Sequence, residues 1–311
     1  MSDDHVYLSL AEASPEGDAR WAFGTGFEDP LHGVDTALPE SVDPAGLAAL
    51  CLALGDDALV SAQRLAQWVT CAPELEEEVA LANIGLDLLG QARLLLARAG
   101  QAEGAGRGED QLAYFRGPEE FRNVLLAELP NGDFAHCVVR LLLFSSWRLA
   151  AFQALTAHPD PVLAAVAAKG INELAYHRDH AAQWTVRLGD GTEESRRRML
   201  AALDELWPHL AELLDGEQQQ VRAEVELTLR QVLDAAGLPV PAVPEAASGR
   251  GRAGEHTRTW PNCSPSSSRW PGRTRRRHGD RRHGVRRHGD RRHGDGRDGD
   301  RGRQVPAATR P

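Results

Sequence analysis

Glu173, His177 and His180 stand in the stretch ELAYHRDH, and Asp87 stands in NIGLDLLGQ. Acids and histidines three or four residues apart share one face of a helix, about a turn from each other. In long helical bundles such groups bind two metal ions. That chemistry needs one carboxylate from each of two helices and a Glu-x-x-His pair from each of the other two. Here the spacing is Glu-x-x-x-His, with Tyr176 at the third position. Asp87 is followed by Gly90 and Gln91 where a histidine would be needed. Asp56 and Asp57 offer acids on a first long segment, but residues 134–158 contain neither Asp nor Glu. The ligand set falls short on two helices out of four. Asp87, Glu173 and His177 are therefore read as degenerate di-iron-like positions. With Asn83 they satisfy one another as interior polar groups, and Arg140 and Arg148 supply counter-charges. No catalytic, cofactor-binding or metal-binding residue is assigned. The alternative, in which Glu173, His177 and Asp87 make the chain itself a di-iron monooxygenase, stays open.

Other chemistry is poorly represented. No glycine-rich phosphate loop follows a strand, and no serine sits on a nucleophile elbow. Cys51, Cys71, Cys137 and Cys263 form no CxxC pair, and all are read as buried, reduced thiols.

The elements that must position these groups are helices. Asp43-Pro44 reads as an N-cap followed by Pro at the first helical position, opening a helix over 44–71. A second covers 74–100, with Glu74, Glu76, Glu77 and Glu78 placed to favour its positive end. Short pieces follow at 109–115 and 118–127. The turn Pro130-Asn131-Gly132-Asp133 opens a third long helix over 134–157, and His158-Pro159-Asp160-Pro161 separates it from a fourth over 160–188. Helices over 192–214 and 216–236 complete the set. Four long helices with short breaks predict an all-α four-helix bundle with additional helices. Trp68, Trp147, Trp184 and Trp207 are candidate core or interface anchors. Residues 1–42 read as a flexible extension, 43–247 as the bundle, and 248–311 as a disordered basic tail.

Net charge divides along the chain. The whole is −10, from 35 Lys and Arg against 45 Asp and Glu. Residues 249–311 hold 18 Arg against 6 acids, so residues 1–248 carry −10 − 12 = −22. The tail repeats RRHGD, RRHGV, RRHGD and RRHGD, a composition suited to a nucleic-acid arm or a His-rich metal tract. The acidic body argues against nucleic-acid binding. No unbroken apolar run of about 18 residues occurs, and the acidic N-terminus lacks a secretory core. The expectation is a cytoplasmic protein without a membrane span.

Several stretches resemble the C subunit family of phenylacetyl-CoA epoxidase. They are LALGDDALVSAQRLAQWV, APELEEEVALANIGLDLLGQARLLL, PNGDFAH, ELAYHRDHAAQW, RLGDGTEESRRRM and ALDELWP, spread over about residues 45–240. The most specific are LANIGLDLLGQARLL and RLGDGTEESRRRM. The resemblance implies a ferritin-like fold and a non-catalytic role, with no cofactor on this subunit. It implies a related A subunit as partner, which carries the iron and binds the acyl-CoA, together with a B subunit and a reductase. The complex adds one oxygen atom of O2 across the ring of phenylacetyl-CoA. An apolar face of the long helices is expected to pack against the A subunit.

In that family one more helix follows the segment matching GRAGEHT. Here the chain reads RTWPNCSPSSSRWPGRTRRRHGD instead. Back-translated with GC-rich codons and read one base earlier, this stretch is compatible with an amphipathic helix ending in Trp and a stop. The expectation is a frameshift from about residue 259, which makes the RRHG repeats out-of-frame translation.

Overall fold

The computed structural model describes residues 31–245, 249–258 and 260. Among these the chain is all-α, without strands. It forms α1 (Pro44–Trp68), α2 (Leu75–Glu103), α3 (Glu109–Tyr114), α4 (Leu125–Glu128), α5 (Phe134–Leu155), α6 (Pro161–Gly189), α7 (Glu193–Leu206), α8 (Leu210–Leu214) and α9 (Gln219–Ala235). Each long helix starts where the local chemistry favours it. Asp43 accepts from the backbone N–H groups of Ala45 and Gly46, with Pro44 behind it. Asp133 caps α5 through His136 N, and Asp160 caps α6 through Leu163 N. Thr192 and Ser195 bond reciprocally in a capping box at the start of α7. α2 ends at Gly104, whose φ of 71° is the left-handed geometry that glycine takes without strain. The expected helix over 192–214 is broken, because Pro208 has no N–H to donate. Residues Trp207–His209 tighten into a 3₁₀ turn between α7 and α8.

The four long helices are tied to one another by side chains. α1 and α2 run antiparallel, so that Gly55 meets Leu95 and Leu96 while Gly85 meets Leu65. α5 and α6 do the same, with Gly170 against Phe152 and Trp184 edge-on to Phe134. Gly170 cannot be enlarged without moving the Phe152 ring, which a Cβ would approach to 2.8 Å. α5 is buried along almost its whole length, from Ala135 to Phe152, as befits a helix apolar on every face. α7 and α9 pack on α5 from outside. Trp68, Trp147 and Trp207 are buried in this core, and Trp184 lies half-buried at its edge.

Four further readings of the sequence need correction. Pro44–Cys71, Leu75–Glu103 and Phe134–Leu155 are each long and apolar enough to cross a membrane by length and composition. Counting unbroken runs missed them, because buried polar residues such as Asp56, Asp57, Arg140 and Arg148 interrupt the apolar sequence. Cys71 is exposed at the end of α1, whereas Cys51 and Cys137 are buried, and burial pushes both thiols up to about 12. Cys263 lies outside the described residues. At the front, the last part of the supposed flexible extension packs: Leu31, Val34 and Val42 rest on the core, and Arg98 donates to the carbonyls of Thr36 (2.7 Å) and Ala37 (3.3 Å). At the back, packing continues past residue 247. Arg250, Arg252, His256 and Trp260 belong to a strap over the loop between α3 and α4. Most of the tail, with its expected frameshift and its RRHG repeats, lies outside the described residues.

Candidate functional site

α2 and α6 run antiparallel and share a polar seam. From one end to the other, Glu77 faces His180 (3.1 Å), Asp87 faces His177 (3.0 Å), Gln91 faces Glu173 (2.9 Å), and Arg98 pairs with Asp160. The tertiary structure thus brings the three degenerate positions onto one seam, where Asp87 pairs with His177 and Glu173 is engaged apart from them. His177 is almost fully buried and meets Asp87 Oδ2, while the Asp87 side chain is 37 % exposed at the edge of the seam. Glu173 accepts from Gln91 Nε2 through one oxygen and from Lys169 Nζ (2.8 Å) through the other. Lys169, the sole lysine of the acidic body, is spent on this contact. Burial holds the His180 imidazole below its ordinary range, although Glu77 opposes the effect.

The interior, where a di-metal centre would need inward carboxylates from four helices, holds a guanidinium instead. Arg148 on α5 is fully buried. Its Nε donates to Gln91 Oε1 on α2 (2.9 Å) and its Nη1 to the Leu54 carbonyl on α1 (3.1 Å). The rings of Phe144 and Phe152 flank it at 5.7 and 4.5 Å. Burial pushes this guanidinium down to about 10, against the pull of Asp57. Gln91 therefore joins a surface carboxylate, Glu173, to a core cation, Arg148. A fixed positive charge in this position repels a metal ion, and the nearby acids are already engaged. Among the described residues no group of three or more His, Cys, Asp or Glu side chains stands close enough to hold one. The residues present do not fit an iron centre.

Asp56 and Asp57, the other acids considered for a metal, are fully buried and serve the fold. Asp56 pairs with Arg116 and accepts from Arg122 N (2.8 Å); Asp57 accepts from Val124 N (2.8 Å) and from Arg252 Nη2 (2.7 Å). Burial raises the Asp56 carboxyl above the usual range, opposed by Arg116. Sequence reading placed Glu77 in a helix N-terminus and gave it no partner; the structure buries it against His180. Its partner lies on a distant helix, so no local spacing announces the pair.

A second histidine carries a pH dependence. His136, from PNGDFAH, bridges Asp133 Oδ1 and Glu205 Oε2, each at 2.8 Å, and so ties the start of α5 to α7. Burial acts against the imidazolium, but the two carboxylates outweigh it and raise the pKa. A raised folded value means the stabilisation is complete below the ordinary histidine value and is lost as pH rises through the folded value. The expected loss is about 0.5–1 kcal/mol, limited because Glu205 is largely in water. Urea titrations of the parent and His136→Gln, compared from pH 6 upward, should converge as pH rises. A constant gap would mean that packing, not charge, holds the residue.

An apolar stripe runs down the outer face of α2. Leu75, Val79, Leu86 and Leu89 are exposed at spacings that place them on one side of the helix, and Leu86 is 63 % exposed. Only 44 % of the most apolar stretch of α2 is buried within the molecule. Leu89 leads to a hollow of about 150 Å³ shared with Leu59, Leu96 and Tyr114. Phe115, 70 % exposed, follows Tyr114, and the ion pair of Arg93 with Glu109 (2.9 Å) stands nearby.

Comparison with known proteins agrees with this picture of a helical body. The family model described as "Phenylacetic acid catabolic protein" matches residues 35–269. A relative from Escherichia coli (strain K12), the C subunit of 1,2-phenylacetyl-CoA epoxidase, is 46 % identical over 180 residues, covering 58 % of this chain and 72 % of that protein. On both grounds the chain belongs to the phenylacetic acid catabolic protein family, in the branch of the epoxidase C subunits.

Proposed function

We propose that this chain is the non-catalytic structural subunit of a multicomponent phenylacetyl-CoA 1,2-epoxidase and serves aerobic phenylacetate degradation in the cytoplasm. Its partner is the catalytic A subunit, which holds the iron; a B subunit and a reductase complete the complex. The observation that carries this reading is the uncovered stripe of α2. A row of leucines and a valine leading to Tyr114 and Phe115 is costly in water and suits a lasting helical interface. The hollow beside Leu89 has the size for one apolar side chain of the partner. A buried guanidinium in place of metal ligands favours a scaffolding role over a catalytic one. The likeness to one subunit of a multi-subunit epoxidase supports the assembly and its substrate.

The stripe gives a direct test. Leu86→Glu sits on the exposed side of α2 and should leave the fold intact. It places a charge inside the interface, which costs about 2–4 kcal/mol, roughly a 30- to 1,000-fold loss of affinity. Co-expression with the A subunit of the same genome, size exclusion and iron analysis would read this out. The expected result is a complex with iron only on the A subunit, dispersed by Leu86→Glu. Stoichiometric iron on this chain alone would revive the monooxygenase alternative. A complex indifferent to Leu86→Glu would move the interface elsewhere.

A further inference from the structure

Gly90 stands in the middle of α2, where a glycine weakens the helix relative to alanine. Several other helical glycines are required by their neighbours. A Cβ on Gly55 would approach Leu96 to 2.9 Å, one on Gly189 would approach the Ala236 carbonyl to 2.6 Å, and one on Gly100 would run into the Arg107 carbonyl. At Gly90 nothing among the described residues lies within 4 Å of where a Cβ would stand. Its backbone is ordinary helix, so no left-handed geometry calls for glycine either. The residue lies one turn beyond Leu86 on the same outer face. Neither crowding nor backbone conformation within this chain accounts for it.

Leu86, Leu89, Gly90 and Arg93 stand at i, i+3, i+4 and i+7, the four positions that enclose a hole on a helix surface. Two are exposed leucines, and the Arg93 guanidinium is drawn to Glu109. With no side chain on Gly90, the floor of this hole is backbone. Exposed tyrosines flank it. Tyr114 shares the hollow beside Leu89 and Arg93, and Tyr176 on α6 is next in sequence to His177, which holds Asp87. The charges around the hole are unevenly matched. Arg93 is answered by Glu109, and Glu173 by Lys169. Asp87, three residues before Gly90, meets only the His177 imidazole, and its other oxygen accepts no hydrogen bond among the described residues.

We propose that Gly90 is the crossing point of a partner helix. One large apolar side chain of that helix seats in the hole of Leu86, Leu89, Gly90 and Arg93, and an Arg or Lys of the same helix faces Asp87. This rests on the reading of the α2 stripe as the interface with the A subunit, and assigns the residue that lets the two helices close. The separation of two packed helices is set by the side chains at their contact, so a missing Cβ brings the axes together. The glycine that weakens α2 in the free chain thereby strengthens the assembly.

The test uses the full chain, alone and with the A subunit of the same genome. Gly90→Ala and Gly90→Leu should each raise the Tm of the chain alone by roughly 2–4 °C, because both residues favour helix over glycine and the space is open. The same variants should weaken the complex in calorimetric titration, Gly90→Leu by roughly 10- to 100-fold and Gly90→Ala by less. Asp87→Asn, which keeps an acceptor for His177, should weaken it roughly 2- to 5-fold and flatten its salt dependence. A lower Tm in Gly90→Ala would show that the chain's own fold needs the glycine, and overturn the proposal. Unchanged affinity and salt dependence in Asp87→Asn would overturn the basic residue opposite it. Leu86→Glu in the same series separates the two readings. A loss in that variant but not in Gly90→Leu overturns the crossing point alone, whereas indifference of both overturns the interface on α2 as well. A dimer of the parent chain alone, broken by Gly90→Leu, would seat a second copy on this face and overturn the assignment to the A subunit.

Discussion

Ending the chain after residue 248 should abolish a stable fold, whereas ending it after Trp260 should not. The segment 249–260 looks dispensable in sequence, yet it satisfies three buried carboxylates. Asp57 takes Arg252 Nη2 at 2.7 Å, Glu212 takes Gly251 N at 2.7 Å, and Glu128 takes both His256 and Thr257 N. Asp57 and Glu128 are fully buried, and burial already raises the Glu212 carboxyl. The segment closes with Trp260, buried edge-on to Phe121, stacked on His256 and donating to the Pro118 carbonyl (2.8 Å). Removing one partner of a buried charge costs about 3–5 kcal/mol, and a domain's whole stability is about 5–15 kcal/mol. Three such losses sum to about 9–15 kcal/mol, as large as that whole stability. The check is the cooperativity of thermal unfolding, followed by circular dichroism, for the two shortened chains. A cooperative transition in the chain ending at 248 would mean that water or a rearranged loop satisfies these acids. The result also bears on the frameshift: the strap's polar contacts up to Thr257 precede the expected change of frame at about 259.

The other large effect belongs to Asp160. Asp160→Ala removes two contributions at once. The carboxylate caps α6 through Leu163 N at 2.8 Å, worth about 1 kcal/mol. It also neutralises Arg98, and both partners are at most 1 % exposed. Leaving that guanidinium buried adds about 3–5 kcal/mol. The expected total is about 4–6 kcal/mol, read as a fall in the urea midpoint. Arg98 further holds the carbonyls of Thr36 and Ala37, so its loosening frees the segment ahead of α1. The double variant Arg98→Met/Asp160→Leu removes both charges and should recover much of the loss. A double variant no better than Asp160→Ala would show that hydrogen bonds to the backbone, not the charge pair, carry the stability.

The sequence by itself determined the helices, because their signals are local. Asp43-Pro44, Asp133 and Asp160-Pro161 mark starts that depend only on a side chain reaching the next turn. The apolar period set which faces turn inward, and the absence of acids from 134–158 already spoke against four inward carboxylates. The family, too, was legible in runs such as LANIGLDLLGQARLL. Where local chemistry was misread, at Pro208, the helix broke. Tertiary structure alone decided which charges meet. Glu77 with His180, Gln91 with both Glu173 and Arg148, and Asp57 with Arg252 join residues far apart in the chain. Pairing of this kind depends on which helices lie side by side and at what register, and no spacing within one helix encodes it. The same holds for the strap. GRAGEHT carries little apolar periodicity, and its place in the fold comes from buried carboxylates on other elements that only the assembled protein brings within reach.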